Sequence, residues 1–207
     1  KMEGATKKEA SPYKLAMERI KTYKNQSKVY ACSTPTLKDN YIWSLYENAD
    51  EVRHYFVPCP YCSEYIELKW ENVVFEKDKE RSMSNYERAQ TANYICQKCN
   101  HIIKDADKPK MLKLGKWVSI KKRGIGKPKT VSFHINSLYS VFVTWASIVE
   151  EFLKSKDNPE ALQNFVNSWL GEPWEDTKVK TSTELVLERQ TEYEENIVPD
   201  YAEFLTG

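Results

Sequence analysis

The chain has 207 residues, 41% hydrophobic and 29% charged, with 31 Lys and Arg against 30 Asp and Glu and a formal net charge of +1. That length holds one large domain or two small ones. The even balance, taken whole, excludes a uniformly basic nucleic-acid module and an acidic solvating tail. No run of about 18 apolar residues occurs, so neither a transmembrane helix nor a membrane partner is expected. No charged segment followed by an apolar one opens the chain, so no signal peptide is expected. Aromatics make up 13%, which disordered chains lack, so most of the chain should fold. Among the 6 glycines no pair has the spacing of a Walker A loop, and no Gly-x-Gly-x-x-Gly fingerprint occurs, since position 129 is Lys.

The net charge is a sum of unlike segments. Residues 101–130 carry ten basic and two acidic side chains, net +8, and residues 171–207 carry three and ten, net -7. This asymmetry points to a surface that faces a polyanion and to a separate acidic connector. A solvated basic loop with no partner is the alternative.

Residues 1–10 are polar and read as a frayed end. Ser11-Pro12 reads as the cap and first residue of a helix with Leu15, Met17, Ile20 and Tyr23 on one face, ending near Asn25. Lys28–Cys32 alternates and predicts a strand that leaves its sheet at Ser33-Thr34-Pro35-Thr36. Asp39 or Asn40 caps a short helix with Ile42, Trp43, Leu45 and Tyr46. Short strands are expected at Tyr65–Trp70, Val73–Phe75 and Tyr94–Cys96, separated by a polar excursion over 77–90. Residues 104–129 read as a basic stretch broken by Gly115, Gly124, Gly126 and Pro128, before a strand over Val131–Leu138. Thr144 caps a helix over Trp145–Lys156. Asn158-Pro159 opens another, which Gly171 and Pro173 stop. The rest is acidic, with one apolar patch at Leu185–Leu187.

Four of the 5 cysteines form two C-x2-C pairs, Cys59-Pro-Tyr-Cys62 and Cys96-Gln-Lys-Cys99. Each such turn aims two thiolates at one point, and two turns complete a tetrahedral four-sulfur site for Zn2+. Residues 63–95 make a long gap for a compact ribbon, and the polar excursion accounts for the excess. The residue after each second cysteine, Ser63 and Asn100, is expected at positive φ. Four thiolates leave no open position, so the zinc is structural and a zinc enzyme is disfavoured. Disulfides and a redox pair are the alternatives; the odd cysteine count and the absence of a secretory signal weigh against disulfides. His54 and His101 lie close enough in sequence to replace a thiolate, with supporting or exposed positions the simpler expectation. Cys32 is expected as a buried small residue.

The ordered set CPYC, CQKC, FHINSLYS and FVNSWLGEPW, over roughly residues 11–207, resembles the middle of the lambda-type (GpA) family of tailed-phage terminase large subunits. The family implies an ATP-driven DNA-packaging motor with a P-loop ATPase before a metal-dependent endonuclease. The resemblance makes Ser33, Thr34 and Pro35 the coupling motif after the Walker B strand. It places the Walker segments before residue 1 and the first nuclease carboxylate after Gly207. ATP and Mg2+ then belong to the full-length protein, and the chain alone is expected neither to hydrolyse ATP nor to cut DNA. It further implies double-stranded DNA, a terminase small subunit and a portal as partners, in the cytoplasm of an infected or lysogenic bacterial host.

The expected fold class is α+β. Residues 1–53 form the C-terminal remnant of a P-loop ATPase domain with the coupling-motif strand, and 54–103 a four-Cys zinc ribbon with its insertion at 77–90. Residues 104–175 form the basic segment, a strand and a two-helix unit, and 176–207 an acidic connector toward a nuclease. Lys121, Lys122, Arg123, Lys127 and Lys129 are the candidates for sequence-independent contact with the DNA backbone. The alternative is a zinc-ribbon module that docks motor subunits without touching DNA, using aromatics such as Trp145, Trp169, Trp174 and Tyr139. Core positions for those aromatics are the simpler expectation.

Overall fold

The structure is a computed structural model, and it describes residues 12–77 and 82–175. The expected frayed end, the Ser11 cap, part of the polar excursion, the acidic connector and its Leu185–Leu187 patch lie outside these residues. The described residues up to Trp174 form one compact unit. Among the described residues no helix is long and apolar enough to cross a membrane.

Helix α1 (Pro12–Arg19) passes into a 3-10 turn over Lys21–Gln26, and α2 spans Tyr41–Asn48. The Asn40 side chain accepts from the Ile42 N–H at 3.0 Å, as the cap reading requires. Strand β1 (Glu51–Pro58) follows at once and is the spine of the larger sheet. It pairs antiparallel with β2 (Tyr65–Glu67) and β6 (Lys116–Lys122), and parallel with β7 (Val131–His134). A second sheet joins β3 (Val73–Val74), β4 (Asn93–Ile95) and β5 (Ile102–Ile103), all antiparallel. Strand β1 runs unbroken through the boundary expected at residues 53 and 54, because its ladders to β6 and β7 lie on both sides of that point.

The polar excursion contains a helix. Ser84 and Glu87 form a reciprocal capping box that starts α3 (Asn85–Gln90), and Ala89 of that helix is fully buried. The basic stretch contains α4 (Lys108–Lys113) as well as β6. Lys108 is itself buried: its Nζ donates to the Val143 carbonyl at 2.7 Å and pairs with Asp105 Oδ1 at 2.9 Å. Asp105 Oδ1 also accepts from the Trp145 N–H at 2.9 Å, tying the block to α5 (Trp145–Ser155).

Helices α5 and α6 (Pro159–Phe165) stand as their caps predict: Thr144 accepts from the Ser147 N–H, and Asn158 from those of Glu160 and Ala161. A π turn over Val166–Leu170 ends α6, and Gly171 takes φ +67 as the stop. The core gathers Trp145, Ile148, Val149 and Leu153 of α5 with Phe165 and Leu170, against Val57, Ile66, Leu68 and Tyr94. Trp145 and Tyr139 are therefore core residues, not a docking surface.

The expected strand Lys28–Cys32 is not formed. Residues 27–36 carry no regular structure, and Val29, Tyr30 and Cys32 are exposed. An alternating segment becomes a strand only with a ladder partner, and among the described residues it has none. Cys32 is thus exposed, not a buried small residue.

Tyr139 ties the larger sheet to the loop that follows β2. Its hydroxyl donates to the Tyr55 carbonyl (2.5 Å) and accepts from the Leu68 N–H (2.7 Å). Tyr139→Phe leaves both buried groups without that partner, a cost of about 1–3 kcal/mol. The melting temperature should fall by several degrees, whereas Tyr30→Phe, at an exposed ring, should leave it unchanged. Thermal unfolding followed by circular dichroism checks both.

Candidate metal centre and basic loop

Strand β1 delivers Cys59 directly, and β4 delivers Cys96. The two turns match bond for bond. The Ser63 N–H donates to the Cys59 carbonyl at 2.9 Å, and the Cys59 N–H to the Glu64 carbonyl at 2.9 Å. The Asn100 N–H donates to the Cys96 carbonyl at 3.0 Å, and the Cys96 N–H to the His101 carbonyl at 3.0 Å. Ser63 and Asn100 take φ +62 and +58, the left-handed conformation expected of them. Local turn geometry needs no tertiary partner, which is why the sequence predicts it.

All four sulfur atoms lie within 4.8 Å of one another. Cys59 Sγ is 3.8 Å from Cys99 Sγ, and Cys62 Sγ is 3.9 Å from Cys96 Sγ. A disulfide would bring sulfurs to about 2.0 Å, so these are thiols. Metal–sulfur bonds of about 2.3 Å in a tetrahedron place sulfurs about 3.8 Å apart. The cluster is already at that spacing. Cys59 and Cys96 are buried, and burial pushes the Cys59 thiol up to about 12. Cys96 moves the other way: against the effect of burial, the backbone N–H groups of Cys99 and Lys98 hold it below its ordinary value. His101 is not among the ligands: it is exposed and stacks on Tyr61, with centroids 5.0 Å apart. His54 is also elsewhere, bonded to Tyr46 and Glu67.

Lys121 and Lys122 end β6, Arg123, Lys127 and Lys129 lie on the β6–β7 connection, and all five are exposed. One residue closes that connection at both ends. Asp50 Oδ2 accepts from the N–H groups of Lys129 and Thr130, each at 2.9 Å, and the Asp50 carbonyl accepts from the Arg123 N–H at 2.7 Å. Those donors hold the Asp50 carboxyl below its ordinary pKa, the backbone N–H of Thr130 and then that of Lys129 leading. The candidates are not equivalent. Lys121 Nζ (3.4 Å) and an Arg123 guanidinium nitrogen (3.2 Å) donate to the Glu47 carbonyl at the C-terminus of α2, where a cation offsets the helix dipole. Among the described residues no carbonyl anchors the side chains of Lys122, Lys127 and Lys129 in this way, though Lys122 and Lys129 lie near the carboxylates of Glu51 and Asp50. Asp50 lies far from the loop in sequence, so no local pattern marks its role.

Ser33 and Thr34 are exposed and Pro35 is buried. The next residue is held from the far end of the unit. The Thr36 carbonyl accepts from Asn167 Nδ2 and from the Trp174 N–H, both at 2.8 Å, and Leu37 forms an isolated parallel bridge with Trp174. Asn167 Nδ2 also donates to the Glu172 carbonyl at 2.9 Å. Asn167 had no distinguishing mark in the sequence beyond its place in FVNSWLGEPW.

Residues 1–117 match the family model for the ATPase domain of the phage terminase large subunit gpA, and residues 130–207 match that for its endonuclease domain. The chain belongs to the lambda-type family of terminase large subunits. A terminase large subunit of Enterobacteria phage P21 is 28% identical over 193 residues, covering 82% of this chain and 28% of that protein. The corresponding protein of Escherichia phage lambda is 36% identical over 118 residues, covering 56% of this chain and 17% of its own length. The chain thus spans less than a third of either relative. No solved structure matches it. The ATPase match runs past both cysteine pairs, and residues 118–129, between the two matches, hold all five basic candidates.

Ser63 carries a Cβ in a conformation that costs an ordinary residue about 1–2 kcal/mol. Ser63→Gly should raise the melting temperature by a few degrees, offset in part by glycine's greater loss of chain entropy. Ser63→Val should lower it, because a branched side chain fits that φ worst. Differential scanning calorimetry of the three forms checks the order Gly above Ser above Val.

Proposed function

We propose that this chain is the joint between the ATPase and endonuclease parts of a viral DNA-packaging motor, and that its basic loop touches the backbone of double-stranded DNA. One observation carries this reading: all five basic candidates fall in the interval between the two family matches, at the end of β6 and on the loop that Asp50 closes. A translocating motor needs contacts that ignore sequence, and lysines on phosphates supply them.

In this reading the four cysteines hold a structural Zn2+, and the ion braces the joint without taking part in chemistry. The sulfur spacing supports zinc, and four thiolates leave it no open position. The ribbon is the part around residues 54–103. Ser33, Thr34 and Pro35 serve as the coupling motif, reporting the state of ATP and Mg2+ bound elsewhere in the full-length protein. The bonds from Asn167 and Trp174 to the Thr36 carbonyl would carry a shift of that turn into the segment beyond Gly171. The chain lacks a phosphate loop and is inactive alone. Small subunit and portal are partners of the whole motor, which works in the cytoplasm of the bacterial host.

A second reading is a subunit-docking module without DNA contact. The exposure of Trp117, Phe133, Ile135 and Phe142 favours it. One titration separates the two. Duplex DNA of unrelated sequences should bind with equal affinity, weakening on the order of 100-fold between 50 and 200 mM salt if three or four phosphates are neutralised. Lys122→Ala, Lys127→Ala and Lys129→Ala together should reduce the logarithmic salt slope by about 3 at unchanged melting temperature. Absent or salt-insensitive binding would favour docking.

A further inference from the structure

The register of the larger sheet brings three potential ligands to one place, away from the cysteines. Strand β7 pairs in parallel with β1, and His54 stands opposite His134, so the two rings share a face. Their centroids are 5.4 Å apart. On the other ladder Phe56 is opposite Glu67, and Phe56 lies two residues from His54, so Glu67 shares that face too. One nitrogen of each imidazole and one Glu67 oxygen fall within 4.8 Å of one another. The side chains of His54 and Glu67 are only 16% and 19% exposed.

The remaining contacts suit ligands. His54 Nδ1 lies 2.5 Å from Glu67 Oε1, and Tyr46 Oη lies 2.6 Å from His54 Nε2. His134 Nε2 lies 3.1 Å from the Gly171 carbonyl, which can only accept. Nε2 therefore carries a proton, and in the neutral ring Nδ1 keeps its lone pair. An imidazole whose outer N–H donates to a backbone carbonyl is the usual arrangement of a metal-bound histidine. Two imidazoles and a carboxylate match the preferences of Zn2+ and its neighbours, and bonds of about 2.0–2.1 Å fit donors gathered this closely.

We propose that His54, Glu67 and His134 form a second metal site, for a divalent transition-metal ion, separate from the four-cysteine centre. Along β1 the two sites are five residues apart, about 17 Å of extended chain. Three protein ligands leave a further position for water. The ion would clamp β1, β2 and β7 and fix the His134 ring that holds Gly171. The proposal needs neither DNA contact nor ATP coupling.

The test is a count of metal equivalents on the metal-free 207-residue chain, titrated with Co2+ and checked with Zn2+ by elemental analysis. Two equivalents are expected. One should give the intense near-ultraviolet band of thiolate ligation, and the other only weak visible bands of nitrogen and oxygen ligation. Glu67→Gln keeps the shape and the hydrogen-bonding capacity of the side chain but removes the ligand charge. It should retain the thiolate band and lose the second equivalent, or weaken it at least tenfold. His134→Gln should do the same. A single equivalent in the unmodified chain would overturn the proposal, and so would a second equivalent of undiminished affinity in both variants. An intact thiolate band in each variant separates loss of this site from failure to fold, and separates it from any failure of the four-cysteine centre.

Discussion

Four sulfur atoms at tetrahedral spacing are the constraint on which the rest of this unit depends. They join the end of β1 to the end of β4, and Cys59 and Cys96 lie within the hydrophobic core itself. Neither sheet is large: β3 and β5 are two residues each, and β2 and β4 three. Such short ladders do not stand alone in water. What fixes them is a closed pair of knuckles on one side and the packing of α5 and α6 on the other. Tyr94 and Tyr139 extend the same logic with polar atoms, since each hydroxyl bonds backbone groups beside β2.

The connections across the unit are then short. Asp50, at the start of β1, closes the basic loop. Four residues later His54 meets His134, and His134 meets Gly171. Gly171 precedes the segment whose Trp174 N–H reaches back to Thr36, beside the Ser33-Thr34-Pro35 turn. Sequence-distant parts of the two family matches thus meet within one sheet and its flanks. That is the arrangement the proposed role as a joint calls for.

What was legible in the sequence was local. The two C-x2-C turns, the positive φ of Ser63 and Asn100, the caps at Asn40, Thr144 and Asn158 and the stop at Gly171 all follow from rules acting within a few residues. The long-range features were hidden. Strand β1 shows no clean alternation, since only Glu51, Val52 and Val57 are buried and the rest are half-buried, and its ladder partners lie up to about eighty residues on. Lys28–Cys32 alternates well but has no ladder partner among the described residues. Lys108 reads as one more charge in a basic run, yet Asp105 and the Val143 carbonyl allow it to be buried. The His54, Glu67 and His134 cluster depends on a parallel register that no single segment encodes.

The central claim is that a metal-closed four-cysteine centre makes residues from both family matches one cooperative unit. Hydrogen exchange of the chain before and after removal of metal by a strong chelator tests it most directly. The account predicts that chelation exposes the amides of Ser63 and Asn100 and, with them, those of β1 and α5. Unchanged protection of β1 and α5 after complete metal removal would contradict it.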